Sequence, residues 1–145
     1  MDVIVDDHLL LRILLGEEPP DLRQPGARVF TTGLWYHRLC RAIGSRTVAG
    51  AMSRMLGSAD EVVAAAAVRA IASLPQTISL LSMRDVAMPM AQLVDQGVRL
   101  NLMSLEALAA ADRLGAELCL AAADENPPLL EAAAARGSPV RIIRN

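Results

Sequence analysis

Asp2-Val3-Ile4-Val5-Asp6-Asp7-His8-Leu9-Leu10-Leu11 opens the chain, and its two halves follow different periods. Val3, Ile4 and Val5 are a β-branched run with little alternation, the pattern of a strand, Asp2 to Asp6, buried on both faces. From Leu9 the period changes: Leu9, Leu10, Leu11, Ile13, Leu14 and Leu15 make a strongly apolar helix that Gly16 can terminate, with Asp7 where an N-cap would be. The same succession recurs outward from this stretch. Glu17 to Ala27, with three prolines, reads as a surface loop; Val29 to Thr32 is extended and feeds a helix through Ile43 that Gly44 closes. Thr47 to Leu56 predicts a short helix ended by Gly57, and Ser58-Ala59-Asp60-Glu61 a capping box for an alanine-rich helix ending at Pro75. Ile78 to Leu81 is a short strand. Ser82 caps a helix to Gln96 that Pro89 should kink. Val98 to Leu102 is extended or a turn, Ser104 to Leu114 a helix stopped by Gly115, Glu117 to Ala121 a strand, Pro127 to Arg136 a helix, and Val140 to Ile143 a last strand.

Short apolar strands alternating with longer helices imply parallel pairing through right-handed crossovers. The expectation is a three-layer α/β/α sandwich with a small, mainly parallel sheet, filling residues 1–145 as a single domain. Composition agrees. At 145 residues and 53% hydrophobic the chain can bury one real core. Alanine and leucine supply much of it, and all three aromatics fall between Phe30 and Tyr36. That balance excludes intrinsic disorder. Arg69, Pro75, Glu117 and Asp124 interrupt the longest apolar runs, so no membrane span is expected. The first residues lack the basic and apolar regions of a secretory signal. Cys40 and Cys119 match no zinc or redox spacing, so a cytoplasmic location is the natural reading, with both as small buried hydrophobes. A net charge of −2 and no visible basic stripe weigh against tight nucleic-acid binding.

In parallel sheets function gathers beyond the carboxyl ends of the strands. The first strand ends in Asp6-Asp7 and the strand at 117 to 121 is followed by Asp124-Glu125-Asn126. If those strands are neighbours, the acids share one edge and can hold a hard cation. A bound water is then activated towards a phosphodiester. The plainer alternative is that Asp7 caps its helix and Glu125 is a solvated loop residue.

Ile4-Val5-Asp6-Asp7-His8-Leu9-Leu10-Leu11 resembles the opening of a PIN domain, where the first strand ends in an aspartate and an apolar helix follows. The last third resembles that family's closing pattern: Ala107 to Ala116, a strand, Ala123-Asp124, an alanine-rich helix and Gly137-Ser138-Pro139-Val140-Arg141-Ile142-Ile143. The middle shares only the order of elements. The resemblance implies a ribonuclease site in which three or four acids hold magnesium or manganese to cut single-stranded RNA, often in a toxin paired with an antitoxin. Asp6 and Asp124 match the family's acids and would be the principal ligands. The family's second acid falls at His37, a candidate ligand or general acid, beside Tyr36 and Arg38; its third falls at Ser104. Asp7, Glu106 and Glu125 are the acids that can supplement the metal set. Glu106 does so only if its helix starts differently. Tyr36, Arg38, Ser104 and Asn126 are candidate substrate contacts. Losing two carboxylates should sharply weaken a divalent site. Two readings follow: a metal-dependent ribonuclease, or a catalytically impaired PIN-like module acting by protein contact or weak nucleic-acid binding.

His8 is either a proton shuttle or an exposed first-turn side chain, the latter favoured. Trp35 is expected inside, in line with Leu34 and Leu39, and Tyr36 near the pocket. Arg12, Arg38 and Arg41 either gather near the acids to hold phosphate or are solvated. The helices at 47 to 73 are apolar round more of their circumference than one buried stripe needs, which favours a helix-mediated homodimer.

Overall fold

The computed structural model describes residues 1–44 and 50–144. Its chain alternates strand and helix as the periods require: β1 (Val3–Val5), α1 (Asp7–Leu14), β2 (Val29–Thr31), α2 (Gly33–Gly44), α3 (Ala51–Ser58), α4 (Glu61–Ala72), β3 (Ile78–Leu80), α5 (Met83–Asp95), α6 (Leu102–Leu114), β4 (Glu117–Ala121), α7 (Pro127–Ala135) and β5 (Val140–Ile143). The five strands form one sheet in the order β3-β2-β1-β4-β5, every neighbour parallel. This is the three-layer α/β/α sandwich the sequence implies.

Successive strand residues point to opposite faces, and the core divides accordingly. Val3 and Val5 pack with Leu9, Leu39, Ala67 and Ile71 under α1, α2 and α4. Ile4 packs with Trp35, Val86, Leu108, Leu118 and Leu129 under α5, α6 and α7. Val3, Ile4 and Val5 lie opposite Glu117, Leu118 and Cys119 of β4, so the two strands start level and β4 runs on past the end of β1 to Ala121, beside Asp6. The chain leaves β1 towards β2 on one side and later returns to lay β4 on the other. The sheet therefore has its switch point between these two strands, where a parallel sheet opens a crevice.

Several boundaries differ from the sequence reading, for local reasons. Asp6, not Asp7, caps α1, because its carboxylate accepts the Leu9 N–H. Asp60 caps α4 by accepting from Val62, while Ser58 ends α3 by donating to the Arg54 carbonyl, so Gly57 lies inside that helix. The start expected at Thr47 lies outside the described residues. Asn101 caps α6 by accepting from Ser104, which begins that helix at Leu102. Residues 98–101 form no strand. The cap at Ser82 is present, and α5 runs through Pro89 to Asp95. A 3-10 turn, Ala122–Asp124, follows β4. At Gly115 the backbone turns left-handed (φ 60°) to leave α6 for β4, a conformation glycine adopts without strain.

Candidate functional site

The end of β1 delivers two carboxylates into different environments. Asp6 is buried, and both its oxygens accept backbone N–H groups: Leu9 on Oδ1 at 2.9 Å and Ala121 on Oδ2 at 2.8 Å. It thus ties the start of α1 to the end of β4. Burial pushes its pKa up to about 6; the two backbone hydrogen bonds work against that rise, and the neighbouring Asp7 charge adds to it.

Asp7 has no exposed surface. Burial alone would raise its pKa, yet Arg38 and His8 outweigh it and hold the carboxyl below the ordinary aspartate value. The Arg38 guanidinium grips Asp7 with two nitrogens, Nε on Oδ2 and Nη2 on Oδ1 at 2.8 Å. The same Nη2 also donates to Asp124 Oδ2. His8 Nδ1 lies 3.1 Å from Asp7 Oδ1, and that hydrogen bond, against the cost of burial, raises the imidazole pKa. Arg38 is held more firmly protonated still, mainly by its hydrogen bond to Asp7.

Asp6, Asp7, His8 and Asp124 each place one donor atom within 4.8 Å of the others, an arrangement that can bind a metal ion. The two expected principal ligands are therefore together. A cleft of about 220 Å³ opens beside them, lined among others by Asp6, Trp35, Arg38, Ser104, Asp124 and Asn126. Asn126 caps α7 and donates to the Ser104 hydroxyl at 2.6 Å, bracing the far wall.

The remaining candidates divide. Glu125 is on the cleft wall but outside the donor cluster, its carboxylate 3.5 Å from Arg144. Glu106 is buried and accepts the Leu34 N–H at 2.9 Å, so it serves the N-terminus of α2 instead of joining the donor cluster. His37 is exposed and outside that cluster. Tyr36 turns the other way, packing in the α1 side of the core and donating to the Ile71 carbonyl at 2.5 Å. Trp35 is buried, as expected, and forms part of the cleft wall.

His8 is not the exposed first-turn side chain the sequence favours, since it is half-buried against Asp7. Sequence reasoning also took Arg38 for a substrate contact and missed that it is the counter-ion of the acids. A signal was present. Trp35 and Leu39 mark the inward face of α2, and position 38, three beyond 35, shares that face while 37 does not. Thr32, whose hydroxyl accepts the Trp35 N–H at 3.2 Å, sets that phase.

As a donor set these residues fit a divalent cation only in part. Asp6 already has a backbone donor on each oxygen, and Asp7 and Asp124 share a guanidinium. Part of the acids' charge is thus offset from within the chain. Comparison with protein-family models and with curated proteins found no match.

Proposed function

We propose that this chain is a PIN-like protein whose acidic edge is partly neutralised and occupied by its own arginine, and that it acts by protein contact or weak nucleic-acid binding without metal-dependent cleavage. The observation that carries this is the Arg38 guanidinium bridging buried Asp7 and Asp124, the one carboxylate of the cluster that is open to solvent on the cleft wall. A cation must displace a guanidinium held by hydrogen bonds to both carboxylates before it gains those oxygens, and at buried Asp7 that exchange leaves a charge that needs a new partner. The near-neutral surface charge is consistent with a weak hold on any phosphate backbone.

A second reading, a magnesium- or manganese-dependent ribonuclease, is favoured by the four donors lying within 4.8 Å beside an open cleft. In it Asp6, Asp7 and Asp124, with His8, would hold the ion, which would supply an activated water and charge neutralisation at phosphorus. Arg38 would then have to swing towards the cleft.

Calorimetric titration with Mg²⁺ and Mn²⁺, with cleavage of single-stranded RNA measured alongside, separates the two. The proposal expects neither metal binding nor cleavage in the wild type. It expects measurable Mn²⁺ binding to appear in Arg38→Gln and to vanish again in Arg38→Gln/Asp6→Asn. Wild-type metal binding accompanied by RNA cleavage that Asp6→Asn abolishes would establish the nuclease instead.

A further inference from the structure

Independently of the cleft, the outward face of α4 carries a pattern that points to a second copy of this chain. The helix buries Ala67 and Ile71 beneath α1 and α2, and the Tyr36 hydroxyl bonded to the Ile71 carbonyl pins it there, so the opposite face looks outward. On that face Val62 is 75% exposed and Val68 40%. Glu61, Ala65 and Arg69 are exposed beside them. One exposed valine needs no explanation. The order does: counted in both directions from Ala65, position 62 mirrors 68, valine against valine, and position 61 mirrors 69, acid against base.

At about 100° per residue, all four flanking positions lie within about 60° of Ala65 on the helix surface. We propose that α4 pairs antiparallel with α4 of a second copy about a two-fold axis through Ala65. Each Val62 then packs on the other copy's Val68, and each Glu61 faces the other copy's Arg69. Symmetry makes every contact twice. Glu61 and Arg69 are about 12 Å apart along one helix, so the ion pairs bracket the valines. Alanine on the axis lets the helices approach to about 8 Å. A parallel pairing would set Glu61 against Glu61 and lose both ion pairs. One helix pair is smaller than a standard interface, so the expected dissociation constant is on the order of 10–100 μM.

Sedimentation equilibrium at low salt, over a concentration series reaching several hundred micromolar, tests this on the wild type, Glu61→Arg and Arg69→Glu. The wild type should dimerise. Each charge reversal alone sets like charges together twice and should weaken association at least tenfold. An equimolar mixture of the two reversals restores both ion pairs and should associate as the wild type does. Should a reversal variant fail to fold, as judged by circular dichroism, Val62→Ser carries the test and should also weaken the dimer. A wild type that stays monomeric, leaving the face to an unrelated partner, overturns the proposal. So does a mixture no tighter than its components, or a dimer indifferent to Val62→Ser.

Discussion

Two neighbouring aspartates shift in opposite directions because burial prevails at Asp6, whereas at Asp7 the cations Arg38 and His8 outweigh it. Asp6, pushed up to about 6 from 3.8 by burial, binds its proton more tightly in the folded than in the unfolded chain. Its contribution to stability is full below pH 3.8 and is lost as pH rises towards 6. Asp7, lowered beneath 3.8 despite its burial, contributes above pH 3.8 and loses that contribution as pH falls through its folded value. His8, raised above 6.5 by Asp7, contributes below pH 6.5 and fades above it. The two aspartate windows do not overlap, so Asp6 can be isolated. In Asp6→Asn the amide nitrogen must face either the Leu9 or the Ala121 N–H, which removes one hydrogen bond at every pH. It also removes the titrating group. The destabilisation of Asp6→Asn relative to wild type should therefore be largest near pH 4 and shrink towards pH 7. Urea unfolding at intervals between those values measures it, and a pH-independent difference would show that Asp6 is not buried as described.

At the scale of elements, the site depends on how α2 is seated. Its first N–H groups are met from two directions: Leu34 by Glu106 of α6, and Trp35 by Thr32. A buried carboxylate at a helix N-terminus meets an orphan donor and the positive end of the helix dipole together. Glu106→Ala should cost about 2 kcal/mol in denaturant unfolding, from the lost charged hydrogen bond and the space vacated. Glu106→Gln, which retains an acceptor, should cost less than half as much; equal losses would mean that Glu106 acts only by filling space. Glu106 thus seats a helix and does not join the donors as the metal ligand its place in the sequence suggests. What was legible there was element order, because period changes at Leu9, Leu34 and Val62 and the stops at Gly16 and Gly115 are local. Asp6 and Asp124 were legible because strand ends mark the functional edge of a parallel sheet. What escaped was phase. One residue on a helix is about 100°, enough to exchange exposed His37 for Arg38, and no local pattern says that Glu106 reaches across to another helix. Asp60 and Asn101 were present as caps but competed with Ser58 and Ser104, and long-range packing chose between them.

For the molecule as a whole, the two helical layers meet the sheet differently. The α1 side is filled by leucines such as Leu9, Leu10, Leu11 and Leu39, whereas α6 enters the other layer through Ala107, Ala109 and Ala110, all with no exposed surface. Alanine's abundance thus has a structural use, since a helix with small side chains on its inner faces can lie close to sheet and neighbour alike. That closeness also brings Ser104 to the cleft wall and Glu106 to the start of α2. It leaves no room for growth, and dense cores respond to added volume with displaced backbone or strained rotamers. Ala109→Leu should destabilise the fold by about 1–3 kcal/mol. The same exchange at Ala91, exposed on α5, should stay within about 0.5 kcal/mol, because leucine and alanine differ little in helix propensity. Urea midpoints of the two variants give the comparison, and equal tolerance would mean that the α6 layer is loosely packed. Because α6 carries Glu106, the displacement in Ala109→Leu should also reach α2. The Asp7-dependent loss of stability below pH 3.8 should then flatten in Ala109→Leu, as Arg38 loses its seat between Asp7 and Asp124, and remain intact in Ala91→Leu.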